Sequence, residues 1–539
     1  MARIERILIA MDDPGWGGVF QYTHAVSCAL ARESYQVHVV HPRTSGPLMD
    51  EQARLGVRHL WLDYDPVKEF GRTVNDAAAA QRLFAQADPD LAFFSDSCPV
   101  SNFALRRVAL QSGRPYVCVE QFVAPYLAKN FAQIMPLLAR IYAHAAEVIA
   151  VSQENLHLLR RHFGLGPTRG RVIHYGRPER FFQPRDERTR RRLRDEAGIP
   201  QAAVLCFTAA RLEQVKGFDC QVEAIRYLVG SAAWERLHFA WAGSGSLEAS
   251  LRGELEKMGV AERVRFLGQR DDVADWLDAA DIFVLPSQAE GMPLAVMEAM
   301  AKGLPVAASA VSGIPEELGD AGRLLPPPTT SPGDTARELA AVLAEWTMNE
   351  PARLAAGEAC RARARAMFRE DRMIRENLEL VERSLVPRGD YVSPGLRVVR
   401  PDRAFPNMVV GDRYRSPWPF IRREIPHNWY CDRRIADVGF LNRDEAAILH
   451  NSALQFAGKR ALEIGCWMGW SAVHLALAGV ELDVIDPLLA RADIAGSVRD
   501  SLAAAGVSQQ VRLVAGVSPA KVHELAADGR KWSLLFIDG

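Results

Sequence analysis

The sequence predicts an α/β chain of two doubly wound domains followed by part of a third, and three observations carry that prediction. Its 539 residues exceed the ~250–300 at which a single hydrophobic core stops growing, so about three packed units are required. Hydrophobic residues make up 48% and charged residues 24%, the balance of a globular chain that is neither disordered nor fibrous. Along most of the length, short β-branched and apolar runs alternate with amphipathic helical stretches. That is the mark of strand-helix-strand crossovers and of parallel sheets covered on both faces.

The first domain, residues 1–180, reads as strands Arg6–Ala10, Val37–Val40, Leu91–Ser95, Tyr116–Glu120 and Val148–Ser152, with helices such as Gln21–Arg32 and Gln153–His162 between them. A short strand, Arg171–His174, leads through Gly176 and the basic run Arg185–Arg194 into the second domain, residues 181–386. Its strands are Val204–Ala209, Leu237–Ala242, Val264–Leu267, Ile282–Pro286 and Pro305–Ser309. After Pro326-Pro327-Pro328, helices Ala336–Trp346, Ala352–Phe368 and Arg372–Arg383 are expected to close this domain. Residues 387–438 are rich in Pro, Arg and aromatics without a steady period and read as an irregular linker or docking segment. A third αβ pattern occupies residues 439–539.

Several function classes fall away on totals. A formal net charge of −1 provides no global attraction to nucleic acid or an anionic membrane. The apolar opening, Ile7 to Ala10, is far shorter than the ~18 residues of a membrane helix and lacks the layout of a signal peptide, so the expectation is a cytoplasmic protein without a transmembrane segment. The eight cysteines are scattered, with no C-x-x-C pair and no histidine at the spacing of a zinc motif, so neither disulfides nor a structural metal is expected.

The most specific motif follows the strand Ile282–Pro286 and runs from Ser287 through Glu290-Gly291-Met292-Pro293-Leu294 to Glu298, then Gly303-Leu-Pro305. It places two carboxylates at one helix start, where the N–H groups of Gly291 and Met292 are unpaired and Pro293 suits the first turn. Such an end holds anions, while Glu290 and Glu298 accept from neutral sugar or ribose hydroxyls. A capped surface helix with ordinary acidic residues is the competing reading. After the strand Val204–Ala209 come Arg211 and Lys216-Gly217, two cations at the end of a strand where doubly wound sheets bind ligands. Charge-assisted hydrogen bonds of roughly 1.5–3 kcal/mol outweigh the ~0.3–1 of a helix dipole, so Arg211 and Lys216 are assigned to a diphosphate. Gly243-Ser-Gly245 lets a ligand approach the backbone.

On Arg211…Lys216-Gly217, Gly243-Ser-Gly245, Phe266-Leu-Gly268 and Glu290-x7-Glu298 with Gly303-Leu-Pro-Val306, the second domain resembles the nucleotide-binding half of a family-4 retaining glycosyltransferase. That family has the GT-B fold of two Rossmann-like domains, and the resemblance spans about residues 4–385. It implies that Arg211 and Lys216 neutralise the donor diphosphate and that Glu290 with the amides of Gly291, Met292 and Leu294, beside Pro293, holds the donor sugar and phosphate. Glu298 would bind the nucleotide ribose, and the backbone at Leu267-Gly268 the base. Pro14-Gly15-Trp16-Gly17-Gly18 matches the family's glycine-rich loop facing the phosphates, with Gly17 and Gly18 as donor-binding positions; a plain strand-to-helix turn competes. Family members often carry a His after the strand matching Tyr116–Glu120, where this chain has Glu120-Gln121-Phe122, so the acceptor-side polar residue is not assigned; His24 and His174 are nearby in pattern, but a structural role competes and neither is chosen. The implied reaction moves a glycosyl group from a nucleoside diphosphate sugar to a hydroxyl of a glycan, glycolipid or other acceptor, with retention and without a metal. Arg211, Lys216 and Glu290 are the catalytic set.

In the tail, Glu463-Ile-Gly465-Cys-Trp-Met-Gly469 is a strand running into a glycine turn, with Asp486 at the end of the next strand, Leu482–Ile485. This resembles the first motif of class I S-adenosylmethionine-dependent methyltransferases, which implies that Glu463, Gly465, Gly469 and Asp486 contact S-adenosylmethionine; a dinucleotide site competes. Trp467 replaces the usual middle glycine. Strands Val511–Val514 and Trp532–Ile537 follow, and an apolar last strand left as an edge is read as a domain missing its remaining strands. A non-catalytic nucleotide-sugar-binding or scaffold protein is the alternative, and membrane contact through Arg185–Arg194 or Arg361–Arg365 competes with solvated helix faces. Base, sugar, acceptor and oligomeric state are set by no pattern in the sequence.

Overall fold

The structure is a computed structural model that describes residues 5–13, 15, 17–385, 395–411 and 430–538. Pro14 and Trp16 of the glycine-rich loop, parts of the 387–438 stretch and Gly539 lie outside the described residues. The chain forms two units, Met1–Leu385 and Val386–Gly539.

The first unit contains two parallel sheets. One is built from β1 (Arg6–Ala10), β2 (Gln36–His41), β3 (Arg58–Trp61), β4 (Leu91–Asp96), β5 (Tyr116–Glu120), β6 (Glu147–Ala150) and β7 (Arg171–Val172), in the order β3-β2-β1-β4-β5-β6-β7. The other uses β8 (Val204–Ala209), β9 (Leu237–Ala242), β10 (Val264–Gly268), β11 (Ile282–Leu285), β12 (Val306–Ser309) and β13 (Arg323–Leu325), in the order β10-β9-β8-β11-β12-β13. Central strands such as β4 and β11 are buried on both faces, as continuous apolar runs in a covered parallel sheet must be. In each sheet the strand order reverses at one place, between β1 and β4 and between β8 and β11. The crevice beyond the carboxyl ends of the strands at such a reversal is where open α/β sheets receive ligands.

The outer strands β3 and β13 were not foreseen. Each is short and lies at a sheet edge, so it carries too few buried positions to announce itself. The last helix of the unit, Glu370–Leu385, does not close the second sheet as expected. It packs on helix Gly18–Arg32 of the first sheet, where the Tyr22 hydroxyl donates to Asn377 Oδ1 at 2.6 Å. Its apolar stripe, Met373, Leu380 and Val381, shares a core with Tyr22 and Val26, and an amphipathic stripe does not say which sheet it will meet.

In the second unit, part of the stretch expected to be irregular is an antiparallel sheet of β14 (Met408–Val410), β15 (Tyr430–Asp432) and β16 (Ile435–Phe440). Two of these strands are three residues long and the β15–β16 register shifts between Cys431 and Asp432, which erases the alternation a strand normally shows. A parallel sheet follows, in the order β19-β18-β17-β20, from β17 (Arg460–Ile464), β18 (Glu481–Asp486), β19 (Val511–Ala515) and β20 (Leu534–Ile537). Leu535 and Ile537 of β20 are 54% and 61% exposed, so this edge presents apolar side chains to solvent.

The basic runs serve internal packing. Arg190 reaches Asp281 at 2.8 Å, Arg194 caps the carbonyls of Ala279 and Ala203, and Arg185 caps that of Asp278. Burial alone would raise the Asp281 carboxyl, but the three guanidiniums hold it below its ordinary value. Arg361 and Arg365 both donate to the carbonyl of Phe182, and Arg363 to that of Glu317. Among the described residues, no helix is long and apolar enough to cross a membrane.

Candidate functional site

The site forms at the two sheet reversals. The loop after β8 carries Arg211 and Lys216 and ends at Gly217, whose φ is +69° and where a Cβ would lie 1.9 Å from the carbonyl oxygen of Pro286. Only glycine lets this loop lie against the end of β11. Lys216 is thereby delivered to the following loop, where its Nζ meets Glu290 Oε1 at 2.7 Å. The same oxygen accepts from Ser287 Oγ at 2.7 Å, and the Glu290 N–H donates to Ser312 Oγ at 3.2 Å. Glu290 is buried and held from three sides, while Arg211 is exposed.

Helix Leu294–Ala301 starts beside this pair, with Pro293 as its N-cap rather than inside its first turn. Among the described residues, no protein group accepts the N–H groups of Gly291, Met292 or Leu294. The other lobe supplies a second helix start. Gly18 is the first residue of helix Gly18–Arg32, and a Cβ there would lie 3.7 Å from Leu294 Cγ and 3.5 Å from the Tyr175 hydroxyl. Two helix N-termini, each equivalent to roughly half a positive charge, therefore converge on one gap, an arrangement that an anion between them relieves. Gly291 closes the gap from the side, since a Cβ on it would stand 2.4 Å from the carbonyl oxygen of Gln121 in the first sheet. Asp13, three residues past β1 at the end of Met11-Asp12-Asp13, lies near enough to Arg211 for the two charges to interact. Burial raises its carboxyl, the Gly15 N–H at 2.8 Å lowers it, Asp12 raises it, and the charge of Arg211 lowers it.

The glycine loops of the second sheet join this cluster. Leu212 donates its N–H to the Ser244 carbonyl and accepts from Leu247, both at 3.0 Å, and Gly243 donates to the carbonyl of Gly268 at 2.7 Å. Gly245 packs on the backbone of Leu212, and Leu267 is partly buried against the core. Contacts thus join Lys216 to Glu290, Gly18 to Leu294, and Gly243 and Gly245 to the loop that carries Arg211, while Met292 and Leu267 pack on the core beside Gly291, Pro293 and Gly268, and Gly17 caps the first helix. Glu298 is in the same helix but engaged. Its Oε1 is in close contact with the guanidinium of Arg177, and burial pushes its carboxyl up despite that charge. Arg177 was not singled out in the sequence; it lies where the chain crosses between the sheets, its N–H bound to the Phe368 carbonyl at 2.8 Å. No motif marks it, because its partner is 121 residues away.

The position at the end of β5 turns inward. Glu120 accepts from Arg106 at 2.9 Å and from the Tyr142 hydroxyl at 2.6 Å, in a fully buried network that includes Asp96 at 3.4 Å from Arg106. Gln121 is buried between Ser95 and the Tyr175 hydroxyl. His174 meets Glu316 at 2.6 Å, a contact that joins the two sheets' halves of the unit. His24 lies along helix Gly18–Arg32, next to Cys28 and Glu51.

In the second unit, Asp486 Oδ2 accepts from the N–H groups of Cys466 at 2.8 Å and Trp467 at 3.1 Å, so it first of all shapes the glycine turn. Trp467 takes φ +44° in a place where glycine is the easy choice. Gly469, at φ +89°, caps helix Trp470–Leu477, and a Cβ on Gly465 would stand 1.9 Å from the carbonyl oxygen of Asp538. Glu463 is fully buried with no hydrogen bond of normal length to its oxygens among the described residues; burial pushes the carboxyl up to about 8 against the lowering effect of the Ser471 hydroxyl.

Comparison with known proteins agrees with this fold. Residues 16–179 match the family profile Glycosyltransferase Family 4, and residues 203–345 match Glycosyl transferases group 1. A D-inositol 3-phosphate glycosyltransferase of Streptomyces bingchenggensis is 32% identical over 209 residues, 37% of this chain and 46% of that protein. The amylovoran biosynthesis glycosyltransferase AmsK of Erwinia amylovora is 35% identical over 186 residues, 33% of this chain and 44% of the relative. The chain thus spans less than half the length of these curated relatives. Among solved structures, Anabaena HepE in complex with UDP and glucose superposes with a TM-score of 0.59 at 18% identity, covering 70% of this chain and 99% of that one. Sucrose-phosphate synthase from Thermosynechococcus elongatus gives a TM-score of 0.58 at 20% identity, covering 70% and 98%. The first unit of this chain therefore has the GT-B fold of two Rossmann-like domains, its first half similar to the Glycosyltransferase Family 4 profile and its second to the Glycosyl transferases group 1 profile.

Proposed function

We propose that the first unit transfers a glycosyl group from a nucleoside diphosphate sugar to a hydroxyl of a glycan, glycolipid or other acceptor, with retention of configuration and without a metal in the donor site. The observation that carries this reading is the convergence of Lys216 and two helix N-termini, at Gly18 and Leu294, on one interlobe gap. Negative charge grows on the diphosphate as the sugar leaves. Donors already fixed in place stabilise that charge without reorganising, and this electrostatic help usually does more than any other single effect to speed an enzymic reaction. In this reading Lys216 leaves Glu290 for the diphosphate, Arg211 approaches from the exposed side, and Glu290 turns to the sugar hydroxyls. The departing phosphate takes the acceptor's proton. For Glu298 to reach the ribose, Oε2 must accept from it while Oε1 stays with Arg177. The HepE structure with UDP and glucose supports a uridine nucleotide as the first donor to try.

In the second unit the reading is an S-adenosylmethionine site over the turn Gly465–Gly469, favoured by the parallel order β19-β18-β17-β20 and by the buried, under-bonded Glu463. The cofactor would supply an electrophilic methyl group; Gly465 and Gly469 would let it approach the backbone, and Asp486, which has lone-pair capacity beyond that used by the N–H groups of Cys466, Trp467 and Leu488, would accept from its ribose.

A thermal-shift panel of UDP, GDP, ADP, S-adenosylmethionine and NAD tests both, because a ligand that binds only the folded form raises its stability. One nucleoside diphosphate is expected to stabilise the protein, and its sugar conjugate to be consumed when acceptors are supplied. Binding without turnover across an acceptor panel favours the non-catalytic alternative, and stabilisation by NAD alone rejects the S-adenosylmethionine site.

A further inference from the structure

Helix Gly18–Arg32 carries His24 and Cys28 four residues apart, which sets both side chains on one face. Helix Pro47–Arg54 lies over that face and brings Glu51 to it. His24 Nε2 is 3.3 Å from Glu51 Oε2, Cys28 Sγ is 3.7 Å from Nδ1 and 3.8 Å from Nε2 of the same ring, and one ligand atom from each residue lies within 4.8 Å of the other two. A tetrahedral zinc centre with bonds of about 2.0–2.1 Å to nitrogen and oxygen and about 2.3 Å to sulfur has edges of about 3.3 Å between N and O and about 3.6 Å between N and S. The contacts already present are close to those edges.

We propose that His24 Nε2, Cys28 Sγ and Glu51 Oε2 bind one zinc ion, with water completing the tetrahedron. The ligand chemistry is that of zinc: an imidazole, a thiolate and a carboxylate. On binding, the Cys28 S–H bond gives its proton to solvent and the sulfur lone pair goes to the ion; a thiolate and a carboxylate then balance the two positive charges. Burial keeps the imidazole of His24 neutral by lowering its pKa, which is the state a metal needs. Burial also pushes the Cys28 thiol up, a cost that a coordinating cation reverses. Arg32 binds the other oxygen of Glu51 at 3.0 Å and so orients the carboxylate without occupying the oxygen that faces His24. The ion would staple helix Gly18–Arg32 to helix Pro47–Arg54 and so hold the helix whose first residue, Gly18, faces Leu294.

The test is titration of the chelator-treated full chain with cobalt(II), followed by zinc. One equivalent of cobalt is expected, with a thiolate-to-cobalt charge-transfer band in the near ultraviolet that zinc abolishes. Cys28→Ser is expected to remove the band and weaken cobalt binding by roughly 100-fold or more. Because Cys28 is buried, Glu51→Gln, at a partly exposed position, is the second variant; it is expected to weaken binding at least tenfold while melting like the parent in chelator. A cobalt spectrum without the band, a band that survives Cys28→Ser, or equal affinity in Glu51→Gln overturns the proposal.

Discussion

Replacing Lys216 by Met tests the proposed chemistry where it is most exposed to failure. Lys216 lies 2.7 Å from Glu290, and the two side chains are 18% and 9% exposed. The substitution does two separable things. It removes one charge-assisted hydrogen bond to the diphosphate, about 1.5–3 kcal/mol, which corresponds to roughly 10–150-fold in donor affinity. It also leaves the Glu290 carboxylate buried without its cation, with the Ser287 hydroxyl as the donor that remains to it among the described residues. Breaking a buried pair costs about 3–5 kcal/mol, and the partial exposure of Lys216 brings the expected loss of stability nearer 2. The double variant Lys216→Met with Glu290→Gln removes both charges together. It is expected to recover most of the stability in urea titration while donor binding, measured calorimetrically with the stabilising nucleoside diphosphate, stays at least tenfold weaker. Undiminished nucleotide binding in Lys216→Met refutes the assignment of this lysine to the diphosphate, and full recovery of binding in the double variant shows that the single change acted through folding alone.

Gly291→Ala puts a Cβ 2.4 Å from the Gln121 carbonyl oxygen, so the lobes must part; turnover is expected to fall at least ~10-fold with the melting temperature nearly unchanged, and normal turnover rejects the closed gap. Arg106→Met leaves Asp96 and Glu120 buried without their shared guanidinium and is expected to cost about 3–5 kcal/mol in urea unfolding. Glu120→Gln is expected to cost much less, because burial already raises that carboxyl toward its neutral form. In the second unit, the folded state holds the Glu463 proton up to about pH 8, whereas the unfolded chain releases it near the ordinary value of 4.5. This group's stabilisation is therefore full below 4.5 and declines as the pH rises to about 8, by about 3 kcal/mol between pH 5 and 7.5. Glu463→Gln should flatten the profile of the unit's urea midpoint over that range, and a wild-type midpoint independent of pH contradicts the burial of this carboxyl.

The sequence determined on its own those features that repeat locally. Strands such as Tyr116–Glu120 and Val204–Ala209 are legible because a buried parallel strand is an unbroken apolar run, and the loop after β11 because glycine, proline and carboxylates sit at fixed offsets from one helix start. That was enough to choose the doubly wound architecture and to nominate Lys216, Glu290 and Gly291. Packing alone decided the rest. Helix Glu370–Leu385 has an apolar stripe that suits either sheet, and only the tertiary fold sets it on the first. The sequence left open what Glu120 does at the end of its strand, and packing decides it, since Arg106 and Tyr142 hold it inside the core. Glu298 meets Arg177, and the face bearing His24 and Cys28 meets Glu51, across stretches of chain whose length carries no period. Charge pairing and ligand geometry depend on distances of a few ångströms, and residues far apart in the chain reach those distances only through the crossing of helices and the register of sheets.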